Sequence, residues 1–199
     1  MMFHNGQASR GHILVGGLGL ALYPQYAAHR ATRFTIVERS PAVARMVEPT
    51  LAAALDRLSP PIPFEVVIGD VADFLAAAPT TRYDTVFLDT WDTLDAAHLP
   101  WINQLRDLAL RHLAPEGRLL LWGYRWMTRL FEAACLALFR VPPDQRAAWL
   151  ASQPPAAQTL LQPVADRFPT LTEPTVEALA WCQEYIVQQT DAPYPNVQG

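Results

Sequence analysis

The stretch ILVGGLGLAL, residues Ile13 to Leu22, joins an apolar run to a glycine-rich turn. An apolar run that ends in glycine is typical of a buried parallel strand entering a ligand-binding turn. Gly17 and Gly19 form a Gly-x-Gly element, which lets the backbone approach a ligand closely and present N–H groups at the start of a helix. The stretch therefore predicts the first strand and turn of an α/β nucleotide-binding fold.

Four more apolar segments follow, and helical patterns lie between them: RFTIVE, FEVVIGD, YDTVFLD and RLLLWGY. This alternation predicts a Rossmann-like, doubly wound, mostly parallel sheet of about five strands. Residues 125–199 show helical patterns and no convincing strand. We predict a nucleoside-binding core over residues 1–124 and a helical extension over 125–199, packed on the core within a single domain.

The composition limits the classes of function. The chain has 199 residues, of which 51% are hydrophobic and 17% charged, as in a globular protein. All 15 basic residues are arginine, which excludes a Walker P-loop, a pyridoxal-phosphate Schiff base and a lysine general base. The net charge of −4 argues against nucleic acid as a partner. No apolar run reaches the roughly 20 residues that span a bilayer, so we expect no membrane partner.

The two cysteines point to a reducing compartment. Cys135 and Cys182 lie far apart and form no C-x-x-C pair, so we expect no metal site and two small buried apolar side chains. No signal peptide is evident at the N-terminus. The sequence therefore predicts a cytoplasmic protein with reduced thiols.

The ends of the predicted strands carry acidic residues. Ligands bind beyond the carboxyl ends of the strands in an open parallel sheet. Glu38 ends the second strand about 20 positions after Gly17, the spacing at which an acid accepts hydrogen bonds from a ribose diol. Asp70 follows the third strand and could accept from the amine of adenine, or could only cap the next helix. This order of residues favours a nucleoside site.

The end of the fourth strand reads Asp-Thr-Trp-Asp. Asp89 and Asp92 are a pair of carboxylates, which suits a general base or the binding of a cationic group. Trp91 between them offers its face to a base or a sulfonium. We therefore take Asp89 and Asp92 as catalytic candidates, and Asp89 and Trp91 also as candidate cofactor contacts.

Five segments of the chain together resemble class I S-adenosylmethionine-dependent methyltransferases, and among them the spermidine-synthase-like branch. The segments are ILVGGLGLAL, FTIVERSPAV, FEVVIGDVADFL, YDTVFLDTWD and LAPEGRLLLWG. The resemblance covers residues 12–124. It implies S-adenosylmethionine as the cofactor, with Glu38 at the ribose, Asp70 at the adenine, and Gly17 and Gly19 behind the methionine portion. It also implies that Asp89-x-x-Asp92 matches the motif that carries the catalytic and polyamine-facing aspartates of that branch.

The chain also departs from the family pattern. Ala21 stands at the third glycine of the turn, and Val15 at the acidic residue that often precedes it. Leu20 and Thr93 replace an aspartate and a proline of the aminopropyltransferases. These departures argue against spermidine synthesis itself.

Several hypotheses remain open. The leading one is a methyltransferase acting on a small molecule or a peptide. The alternatives are a catalytically degenerate binding or scaffold subunit and an aminopropyl or other alkyl transferase. A nicotinamide-dependent oxidoreductase is a further alternative that Glu38 suits equally well, although Leu22 stands where its third glycine would be. The helical extension could form a lid, pack on the sheet edge, or join a homodimer or a protein partner.

Overall fold

The structure is a computed structural model that describes residues 2–190. It contains a five-stranded sheet in which every neighbouring pair of strands is parallel. The strands are β1 (Gly11–Gly16), β2 (Ala31–Glu38), β3 (Phe64–Ile68), β4 (Tyr83–Leu88) and β5 (Leu113–Leu121). Their spatial order is β3-β2-β1-β4-β5, so the direction of winding reverses between β1 and β4. The predicted Rossmann-like, doubly wound sheet is confirmed, and the reversal is the position beyond which open α/β sheets bind ligands.

Helices precede and connect these strands. They are α1 (Met2–Ala8), α2 (Leu22–Ala27), α3 (Pro41–Asp56), α4 (Val71–Ala76) and α5 (Leu99–Leu110), with 3-10 turns at Ala28–Arg30 and Ala96–His98. The start of α3 follows from local sequence, because the Ser40 hydroxyl accepts from the N–H of Val43 at 3.3 Å and Pro41 takes the first helical position.

β1 is covered on both faces. Ile13 and Val15 pack in one cluster with buried residues of α2 and α3. Leu14 points to the opposite face, because side chains alternate along a strand, and it is fully buried as well. A strand buried on both faces needs a continuous apolar run, which explains the sequence of this segment.

The chain forms two compact units. The first comprises the chain up to Trp91 together with Leu105–Trp122, and the second comprises Asp92–Gln104 and the chain from Gly123 onward. The first unit contains the sheet. The second contains the start of α5 and the helices α6 (Tyr124–Arg140), α7 (Arg146–Ala151), α8 (Pro155–Arg167) and α9 (Val176–Gln188), with a 3-10 turn at Pro143–Gln145.

A buried arginine fastens the loops of the second unit. Arg146 begins α7 and is only 4% exposed. Its guanidinium donates to five backbone carbonyls, those of Phe139, Val141, Phe168, Pro169 and Leu171. A buried cation needs such partners, because a desolvated charge without hydrogen bonds is very costly.

A buried amide ties three helices of the same unit together. The side-chain N–H groups of Asn103 donate to the carbonyls of Ile186 and Gln189 at 2.7 and 2.8 Å. Its Oδ1 accepts from the Tyr124 hydroxyl at 2.6 Å. The first turns of α5 and α6 are thereby fixed to the end of α9.

The structure differs from the sequence predictions in two elements. α1 was not predicted, and β5 was predicted over RLLLWGY but begins at Leu113 and ends at Leu121. Glu116 in β5 has a left-handed φ of 60°, and the pairing with β4 shifts there. The predicted division into 1–124 and 125–199 within one domain stays a prediction, and residues 191–199 of the predicted extension lie outside the described residues.

Candidate functional site

Backbone hydrogen bonds align the carboxyl ends of the four neighbouring strands β3, β2, β1 and β4. The N–H of Gly17 donates to the carbonyl of Val37 at 2.9 Å, and the N–H of Gly69 donates to the carbonyl of Glu38 at 3.0 Å. On the other side of β1, the N–H of Asp89 donates to the carbonyl of Gly16 at 3.0 Å. The residues that follow β1, β2, β3 and β4 therefore meet at one edge of the sheet.

Gly17 is required by close packing. Its φ is +89°, and a Cβ at this position would lie 2.5 Å from the carbonyl oxygen of Asp89. Gly19 also has a positive φ, of +50°, but a Cβ there would meet no atom within 4 Å. The first glycine therefore lets β1 and β4 approach, and the second leaves open space above the turn.

The position of the missing third glycine keeps the backbone that glycine would favour. Ala21 has φ 55° and ψ 27°, is fully buried, and donates its N–H to the carbonyl of Leu18 at 2.8 Å. A left-handed conformation costs a non-glycine residue about 1–2 kcal/mol. Ala21 therefore holds the turn in a left-handed conformation at a cost in backbone strain.

The Glu38 carboxylate clamps this turn to the start of α3. Its Oε2 accepts from the N–H of Leu18 at 2.9 Å, and its Oε1 accepts from the N–H of Ser40 at 2.7 Å. Glu38 is 9% exposed, and its hydrogen bond from Leu18 is buried while that from Ser40 is partly buried. A carboxylate oxygen can accept two hydrogen bonds, and each oxygen of Glu38 accepts one here, which leaves acceptor capacity for a ligand hydroxyl.

Asp70 serves as the cap that the sequence indicated. Its Oδ1 accepts from the N–H of Ala72 at 2.7 Å at the start of α4. Its side chain is half-buried, and within residues 2–190 its second oxygen makes no hydrogen bond. A cap of this kind holds the carboxylate at the end of β3 and leaves one oxygen available to a donor.

Asp89 is the acidic group whose protonation is most altered at this edge. It is half-buried, and burial alone raises the pKa of its carboxyl to about 6. No hydrogen bond or ion pair stabilises its charge among the described residues. A carboxylate with such a pKa can take up or release a proton near neutral pH.

Two polar atoms beside Asp89 are buried without partners. The Thr90 hydroxyl and the Trp91 indole N–H make no hydrogen bond within the part of the chain that the structure describes. Buried polar groups are nearly always satisfied, so these two atoms are available to hydrogen-bond a ligand at this edge of the sheet. Thr90 was not among the predicted site residues, although its place two residues after the end of β4 was a signal for such a role.

The two remaining candidates are Trp91 and Asp92. Trp91 is 7% exposed, so it offers little free surface, and its predicted contact with a base or sulfonium stays a prediction. Asp92 is exposed and belongs to the second unit, so the first unit brings together Gly17, Gly19, Glu38, Asp70, Asp89 and Trp91 without it. The paired action of Asp89 and Asp92 therefore stays a prediction.

No group of three or more His, Cys, Asp or Glu side chains within residues 2–190 could hold a metal ion. None of the helices in that same range is both long enough and apolar enough to cross a membrane. Cys135 and Cys182 are free thiols, and both are buried as predicted.

Comparison with known proteins finds likeness in structure but not in sequence. No protein-family model and no curated protein matches the chain. One similar solved structure is the DhpI–SAH complex, at 22% identity and a TM-score of 0.39, over 54% of this chain and 46% of that one. Another is a SAM-dependent methyltransferase from Geobacter sulfurreducens in complex with S-adenosyl-L-homocysteine, at 19% identity and a TM-score of 0.42, over 60% and 46%.

A third is the precorrin-6y C5,15-methyltransferase from Geobacter metallireducens, at 16% identity and a TM-score of 0.44, over 64% of this chain and 65% of that one. The chain thus spans 46% to 65% of the length of these three structures. The fold class of the chain stands on its own strand order and parallel register.

Proposed function

We propose that the chain is an S-adenosylmethionine-dependent methyltransferase and that the first unit binds the cofactor at the carboxyl ends of β1 to β4. The observation that carries the proposal is the buried Glu38 carboxylate, which joins the glycine turn to the start of α3. An acid at this position of a doubly wound sheet is suited to a ribose diol. The substrate is proposed to be a small molecule or a peptide.

The residues at this edge fit an adenosyl group. Acceptors come from Glu38 and from the second oxygen of Asp70. The Trp91 indole N–H is an unpaired buried donor, and the turn is open above Gly19. An adenosine moiety carries both hydroxyl and amine donors for such acceptors, so the chemistry of the ligand and of the edge is complementary.

Each residue has a distinct proposed role. Glu38 would bind the ribose hydroxyls through its remaining acceptor capacity, and Asp70 would accept from the adenine amine. Gly17 and Gly19 would let the backbone approach the methionine portion. S-adenosylmethionine supplies an activated methyl group on a positively charged sulfur when it is bound.

Asp89 is the proposed base. Its carboxylate, with a pKa of about 6, is mostly ionised at neutral pH and is close enough to that pH to accept a proton from a substrate hydroxyl or amine. The same burial limits access of water to it. Asp92 is proposed to orient a substrate amine, a role that rests on the sequence motif alone.

Calorimetric titration tests the cofactor. The protein is titrated in parallel with S-adenosylmethionine, S-adenosylhomocysteine and NAD, and we expect micromolar binding of the two adenosyl sulfur compounds and none of NAD. Asp70→Asn should weaken binding by roughly tenfold, on the scale of one hydrogen bond to a charged group. The matched control is Asp73→Asn, which changes an acid in the same short helix.

The titration also separates the alternatives. NAD binding alone would support the oxidoreductase. Absence of binding to all three compounds would refute the proposal and support a binding or scaffold subunit. Transfer of an aminopropyl group from decarboxylated S-adenosylmethionine to a polyamine would support the spermidine-synthase-like branch, for which the Asp89-x-x-Asp92 spacing is the sequence argument.

A further inference from the structure

The second unit contains a cavity of its own between α6 and α9. Its volume is about 340 Å³, in the lower part of the roughly 300–1,000 Å³ range of small-molecule pockets. Phe131, Cys182 and Ile186 form an apolar lining, and each of these side chains is at most 2% exposed. The cavity therefore offers an apolar surface to the body of a ligand.

Two arginines stand at the mouth of this cavity. Arg125 and Arg129 both line it, are exposed, and lie one helical turn apart on α6. Neither guanidinium makes an ion pair or a hydrogen bond to any residue in the range 2–190. Among the described residues that line the cavity, Glu132 carries the one carboxylate, so the charged side chains of these residues have a net charge of +1.

This arrangement of charge is unfavourable for the helix alone. Like charges at i and i+4 repel each other, and cations are disfavoured near the N-terminal, positive end of a helix. Arg125 lies in the first turn of α6, which begins at Tyr124, and Arg129 follows it at i+4. A bound anion would reverse both effects.

We infer that this cavity is a binding site for a small organic anion, with its apolar body against Phe131, Cys182 and Ile186 and its carboxylate, sulfonate or phosphate held by Arg125 and Arg129. Guanidinium groups bind such anions through paired hydrogen bonds. The walls of the site are fixed in advance, because Asn103 ties the start of α6 to the end of α9. The site lies wholly within the second unit, and its test does not depend on the proposed cofactor.

A pair of fluorescent probes tests the inference. Anilinonaphthalene sulfonate has an apolar body and an anionic group, and phenyl naphthylamine has a closely similar body without the charge. We expect the sulfonate to bind the intact protein at one site. The double variant Arg125→Gln/Arg129→Gln should weaken sulfonate binding by roughly tenfold or more, the scale of hydrogen bonds between charged groups, and leave the uncharged probe unaffected.

Two further variants locate the site. Arg140→Gln removes an exposed arginine of α6 that does not line the cavity, and it should bind the sulfonate as the wild type does. Thr128→Trp introduces a large side chain at the lining and should abolish binding of both probes. Unfolding midpoints of all variants are measured alongside, so that loss of fold is recognised.

Two results would overturn the inference. One is a wild-type protein that does not bind the sulfonate. The other is a double variant that binds it as tightly as the wild type or as the Arg140→Gln control.

Discussion

Replacing Glu38 by glutamine should destabilise the fold as well as weaken cofactor binding. The carboxylate accepts from the N–H groups of Leu18 and Ser40, and a hydrogen bond to a charged group contributes about 1.5–3 kcal/mol. The amide keeps one acceptor but turns N–H donors toward the other backbone N–H, which leaves a buried donor unpaired at a cost of about 1–3 kcal/mol. We therefore expect Glu38→Gln to lower the free energy of unfolding by about 2–4 kcal/mol.

Urea denaturation measures this change, and an unchanged m-value would show that the loss is one of stability. The matched control is Glu48→Gln, an exposed acid on α3, which should stay within about 0.5 kcal/mol of the wild type. If both variants unfold at the same urea concentration, the carboxylate does not hold the turn and the reasoning is refuted.

Three other changes test separate parts of the account. Burial raises the pKa of Asp89 from 3.8 to about 6, so the folded protein binds this proton more tightly than the unfolded chain does. The stability due to Asp89 is therefore greatest below about pH 4 and is lost as the pH rises through about 6. The asparagine of Asp89→Asn cannot ionise, so the free energy of unfolding of this variant should rise relative to the wild type by roughly 2–3 kcal/mol as the pH is raised from about 4 to about 8. Urea unfolding at both pH values measures this difference, and an equal difference at the two would contradict the prediction. Gly17→Ala should lower the free energy of unfolding by about 3 kcal/mol or more, because its Cβ would meet the Asp89 carbonyl. Gly19→Ala should lower it only by the cost of a left-handed backbone, about 1–2 kcal/mol, and equal losses in the two variants would argue against the turn as described. Arg146→Lys should destabilise the second unit by about 3 kcal/mol or more, because an ammonium cannot reach the carbonyls that the guanidinium joins, and an unchanged thermal midpoint would refute that role.

The sheet was predictable because its central strands are buried. β1 and β4 are nearly continuous in buried residues, and such strands read as apolar runs between turn residues. α1 was not predictable, since it has seven residues and includes Gly6. It is supported by tertiary contacts, among them an edge-to-face contact of Phe3 with Tyr26 at 5.9 Å, and a local pattern cannot reveal such contacts.

The sequence predicted which residues lie at the candidate site but not the hydrogen bonds that they make. Strand ends in a doubly wound sheet meet at one edge, so the positions of Glu38, Asp70 and Asp89 followed from the order of elements. The two hydrogen bonds that Glu38 accepts from backbone N–H groups depend on the path of the turn, and an alanine at position 21 does not predict the left-handed conformation found there. The buried hydroxyl of Thr90 depends on packing, which sequence periodicity does not describe.

Hydrogen exchange with and without S-adenosylhomocysteine tests whether the cofactor binds at the carboxyl ends of β1 to β4, because it reports where the ligand binds. With the ligand bound, we expect slower exchange in peptides that cover residues 16–20, 38–41, 70–72 and 89–91, where the strand ends meet. Unchanged exchange in all four segments, or protection confined to the second unit, would contradict it.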